Sequence, residues 1–123
     1  MKKVKWLKWP EDKDWNAANE YLGLLGHNKL PNASPSELKI QKFKAKDILR
    51  ASGLQLLPES NEKVESKVVK IKDGKRLSPI ILVLTEPGNN LLIADGYHRV
   101  CAVFEVDQEA SIPCVIRTIN LTK

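Results

Sequence analysis

At Gly96 the chain changes period. Before it, Leu91, Leu92, Ile93 and Ala94 form a short apolar run of strand character. After it, residues 100–106 carry an amphipathic helical pattern. A strand that enters a helix through a glycine turn leaves backbone N–H groups unpaired at the helix start, backed by the positive end of the helix dipole. Gly96 lets the backbone turn tightly and approach a ligand, and His98 and Arg99 add side-chain donors in the first turn. These features suit an anion, above all a phosphate. Asp95 reads as an N-cap, a general base or a metal ligand. Taken alone, the segment also suits a plain helix start in which His98 and Arg99 pair locally.

The flanks place this turn in an α+β order. The run Pro79-Ile80-Ile81-Leu82-Val83-Leu84 is apolar throughout and reads as a buried central strand. Glu86-Pro87-Gly88-Asn89-Asn90 is a turn signal, so residues 91–94 pair back as a hairpin. Upstream, Ser60 or Asn61 caps a helix whose apolar positions are Val64, Val68 and Ile71. Lys63, Ser66 and Lys70 share another face of that helix. Such a row tracks a triphosphate or is a solvated face. Residues 112–116 close the order with an apolar strand.

Asp95-Gly96-Tyr97-His98-Arg99 resembles the box of the ParB/sulfiredoxin superfamily, in which a Gly-x-(His/Arg)-Arg turn binds nucleotide phosphates. The resemblance runs over residues 54–117, about half of the chain. Residues 63–71 look like the sulfiredoxin helix that faces ATP. Lys63 and Ser66 match it, and Lys70 stands in place of a Thr. Ile112-Pro113-Cys114-Val115-Ile116 is similar to the closing strand of the family. Over the box alone, the chain is also similar to free-serine kinases of the superfamily.

The resemblance implies a ParB/sulfiredoxin-like fold, a small mixed sheet packed by helices, at residues 38–123, with an N-terminal helical extension at 1–37. It implies ATP or another nucleotide, with or without Mg²⁺, or a phosphorylated small molecule as ligand. Lys63, Ser66 and Lys70 would face that ligand from one helix. Gly96, Tyr97 and the following N–H groups would cradle phosphate oxygens, with His98 and Arg99 as charged donors. For phosphoryl transfer, Asp95 or Glu59 would hold a metal or activate a hydroxyl. One position departs from sulfiredoxin: Tyr97 stands where its reactive cysteine would be, which removes the sulfinic acid chemistry unless Cys101, one turn on, replaces it. A DNA-associated or protein-interaction module on the same scaffold is the alternative.

Length and composition bound the rest. A chain of 123 residues is one domain with a modest core. Its net charge of +5 favours anionic partners, but the lysines are spread rather than clustered, which is weak support for DNA. The densest basic patch near the core is Lys42, Lys44, Lys46 and Arg50. Cys101 and Cys114 lack metal-ligand spacing and read as small buried residues. No run is long enough to span a bilayer, and no apolar core follows the basic residues at 1–10, so the expected setting is the cytoplasm.

Four further elements are expected. Residues 10–25 form a helix with Trp15, Ala18, Leu22 and Leu25 on its apolar stripe, ended by Gly26. Residues 27–37 form a loop. Residues 38–43 form an edge strand and 44–52 a short helix closed by Gly53, followed by a strand at 54–57. Trp6, Trp9 and Trp15, interleaved with lysines, either anchor the N-terminal segment or offer a stacking surface for bases.

Overall fold

The structure, a computed structural model, describes residues 3–30 and 38–120. It is an α+β domain. Its elements are β1 (Lys5–Trp6), α1 (Asp12–Leu24), β2 (Ile40–Lys44), α2 (Ala45–Ser52), α3 (Glu62–Lys72), β3 (Arg76–Leu77), β4 (Ile80–Glu86), β5 (Asn90–Asp95), α4 (Tyr97–Val106) and β6 (Ser111–Asn120). The main sheet has the order β2-β6-β4-β5. Strand β4 runs parallel to β6 and antiparallel to β5, and β2 is antiparallel to β6 at the edge. A second, two-stranded sheet pairs β1 with β3 in parallel.

The unbroken apolar character of β4 follows from its position. Ile80 and Leu82 enter the larger core with α2, α3 and α4, while Ile81 and Val83 face a second core built on Ala18 and Leu22 of α1. A strand buried on both faces has no solvent side on which to alternate. The layers are therefore α1, then sheet, then the three remaining helices. Trp6 packs on the larger core and Trp15 on the second, so both anchor the N-terminal segment.

Two expectations need correction. Residues 54–57 do not form a strand. The sheet has no place for them, and their polar groups bond to α4 instead: Gln55 O accepts from the Tyr97 hydroxyl, and Leu57 N donates to Cys101 Sγ at 3.4 Å. The buried stripe of α1 is Asp14, Ala18 and Leu22, at i, i+4 and i+8. Leu25 follows the helix as its C-cap and stays exposed. Of the loop expected at 27–37, residues 31–37 lie outside the described residues.

Candidate functional site

Strand β5 delivers Asp95 to the end of the sheet, and Gly96 turns the chain into α4. Gly96 has φ +111, and a Cβ there would collide with Ile80 Cδ1 and stand 2.9 Å from Arg99 Nη2. Only glycine combines this left-handed backbone with so close a neighbour. Gly96 itself is the N-cap of α4, and no side chain caps the helix. Asp95 is therefore not the cap it resembles in sequence. Its Oδ2 accepts from Arg99 Nη2 instead, one turn along the same segment.

Arg99 is buried, and its guanidinium is taken up inside the protein. Nη1 donates to Ser78 O at 2.6 Å and to Ser78 Oγ, and lies 3.7 Å from Asp14 Oδ1. Asp14 in turn accepts from Glu11 N through Oδ2 at 2.8 Å. Arg99 thus ties β5, the segment before β4 and the N-terminal helix into one buried network. Both of its Nη atoms are engaged by these partners, and Arg99 also lines the cleft beside them.

Beside this network opens a cleft of about 580 Å³. One wall is α3, which contributes Lys63, Ser66, Lys67 and Lys70; Gly96 and His98 lie across from it. The row Lys63, Ser66 and Lys70 does meet the box, with Val64, Val68 and Ile71 turned to the core behind. Lys67 belongs to the same row and went unread in the sequence. The spacing 63, 66, 67, 70 is i, i+3, i+4, i+7, so the signal was present. Asp14 also went unread. Its clue was a carboxylate lying four residues before Ala18 on an apolar stripe.

Electrostatics divide the cleft. Among the described residues, Lys63, Lys67 and Lys70 make no ion pair. Burial, then the charges of Lys70 and Arg99, lower the Lys67 pKa. Burial, then Lys63 and Lys67, lower that of His98, which favours its neutral imidazole. Opposite, burial raises Asp95 to about 6; the Asp14 charge adds to this and Arg99 opposes it. Cations crowded without partners and carboxylates out of water are both costly, and clustered shifts of this kind mark functional sites.

The remaining candidates lie elsewhere. The Tyr97 side chain bonds to Gln55 O and is not part of the cleft wall; nor is Glu59. Cys101 is buried with its thiol pKa raised, chiefly by burial, and Cys114 is pushed up to about 12. Neither has the thiolate character of a reactive cysteine. Among the described residues no group of three or more His, Cys, Asp or Glu is placed to hold a metal. None of their helices is long and apolar enough to cross a membrane. In the basic patch, Lys44 is paired with Glu109 at 2.6 Å. Compared with family models, curated proteins and solved structures, the chain shows no match.

Proposed function

We propose that this chain is a ParB/sulfiredoxin-like domain that binds a nucleotide or another phosphate-bearing small molecule in the cleft between α3 and the start of α4. The observation that carries this reading is the row Lys63, Ser66, Lys67 and Lys70, whose lysines pair with no carboxylate among the described residues, facing across one cleft a helix N-terminus that no side chain caps. Its volume falls in the range of small-molecule sites. Lysines supply point charges to phosphate oxygens, Ser66 a hydroxyl, and the N–H groups after Gly96 directional donors. Mg²⁺, which keeps waters and leans on phosphate oxygens, would need only one or two protein carboxylates, and Asp95 lies beside the turn among the four carboxylates, with Glu11, Asp14 and Glu62, that line the cleft. In phosphoryl transfer Asp95 would instead accept the proton of the attacking hydroxyl. We place the protein in the cytoplasm, a setting consistent with two free thiols.

Calorimetric titration with nucleoside mono-, di- and triphosphates, with and without Mg²⁺, tests this reading. The informative variant is Lys67→Ala. Replacing Arg99 would strand Asp14 and Asp95 together and destabilise the fold. Loss of one charge-assisted contact, about 1.5–3 kcal/mol, should weaken binding tenfold or more. Equal affinity in wild type and Lys67→Ala, or no binding by wild type, overturns it.

A further inference from the structure

Strand β2 ends the main sheet, and its outer side meets no other strand among the described residues. The register fixes which backbone groups point outward. Lys42 lies opposite Pro113, which has no N–H to give, so theirs is a pair without mutual hydrogen bonds. The N–H and C=O of Lys42 therefore point away from β6. Alternation along the strand gives the same direction to Ile40 and to the N–H of Lys44. Among the described residues, no backbone partner from elsewhere in the chain meets these groups.

Beside this edge opens a second groove of about 520 Å³, which shares no lining residue with the cleft at α3. Lys3, Trp6 and Lys8 of the N-terminal segment line it, with Ile40 and Lys42 of β2. The three lysines are exposed and make no ion pair among the described residues. The one carboxylate in its lining, Asp107, is engaged in the turn after α4, where it accepts from Glu109 N at 3.0 Å. Half-buried Trp6 gives the groove an apolar side. A peptide strand satisfies all of these at once: its main chain completes the ladder and its carboxylates meet the lysines. A second copy of β2 would complete the ladder but set lysine against lysine, a pairing that edge lysines discourage. A nucleic acid would meet the lysines and leave the ladder open.

We propose that the β2 edge and this groove dock an extended acidic segment of a partner protein, which adds to the main sheet as a fifth strand. This surface is independent of the ligand bound at α3. The probe is an end-capped peptide of alternating Glu and Val, titrated into the full chain and followed by NMR and amide hydrogen exchange. Binding should slow exchange at Ile40, Lys42 and Lys44, leave Gln41 and Phe43 unchanged, and shift the indole N–H signal of Trp6. Lys42→Glu alters an exposed side chain and should weaken binding by about threefold or more. The same peptide N-methylated at every residue keeps its charge, cannot donate to the ladder, and should not bind. Equal binding of the methylated and unmethylated peptides reduces the contact to surface charge and overturns the proposal. Absence of binding at millimolar peptide overturns it too. Protection of β2 that grows with protein concentration alone assigns the edge to a second copy. Tighter binding of a single-stranded oligothymidylate at the same residues assigns the groove to nucleic acid. Either of these last two results also overturns the proposal.

Discussion

Gly96 and Gly53 separate two reasons for a glycine. Both have positive φ, but a Cβ on Gly53 meets nothing within 4 Å, whereas one on Gly96 strikes Ile80 and crowds Arg99. Gly53→Ala should therefore cost only the backbone term, about 1–2 kcal/mol. Gly96→Ala adds overpacking of about 1–3 kcal/mol. Urea unfolding of the two variants checks this, with Gly96→Ala expected to show the lower midpoint. Equal midpoints would mean that the turn relaxes freely around the new methyl. The need for glycine at 96 was legible in the sequence; its cause was not. A turn-and-phosphate motif suggests approach by a ligand, but the near neighbours are Ile80 and Arg99 of the protein itself. The same holds for Arg99, whose charge is visible in sequence while its buried partners Ser78, Asp14 and Asp95 come together only through the fold.

At the scale of elements, helices were easier to read than the short strand. Helix α3 carries its own start signal: the Asn61 side chain accepts from Lys63 N at 3.0 Å and Val64 N at 3.2 Å. Gly53 and Gly74 follow α2 and α3 in the left-handed conformation that ends helices. These are local causes, so the sequence displays them. Residues 54–57 are mostly apolar, as a short strand would be, but a strand also needs a free edge, which depends on distant parts of the chain. The side chains of Tyr97 and Cys101 satisfy this segment instead. The Asn61 cap has a consequence for the cleft, because the first turn it secures carries Lys63. Asn61→Ala should lower stability by about 1 kcal/mol. It should also speed amide exchange at residues 63 and 64 more than in the rest of α3. Unchanged exchange there would show that packing of Val64 alone holds the turn.

Across the whole molecule, the question is whether the N-terminal extension is an appendage or part of the fold. The sequence suggests a boundary, because a loop rich in Asn, Pro and Ser separates residues 1–26 from the remainder. The structure shows shared burial. Leu22 and Ala18 on α1 are fully buried against Ile81, Val83 and Ala94, and β4 carries the larger core on its other face. Loss of α1 would therefore expose one side of the central strand and remove Asp14 from the Arg99 network. The extension and the cleft are coupled by this route: apolar packing seats α1, and α1 seats a carboxylate. Leu22→Ala removes a buried leucine side chain and should cost about 2–5 kcal/mol. Because β4 is common to both cores, that loss should appear as one cooperative transition at a lower urea midpoint, seen alike by tryptophan fluorescence and far-ultraviolet circular dichroism. An independent appendage predicts a different result: an early, small transition reported by Trp15, followed by unfolding of the sheet at the wild-type midpoint. Coincident transitions would make residues 12–24 part of the same folding unit as the sheet.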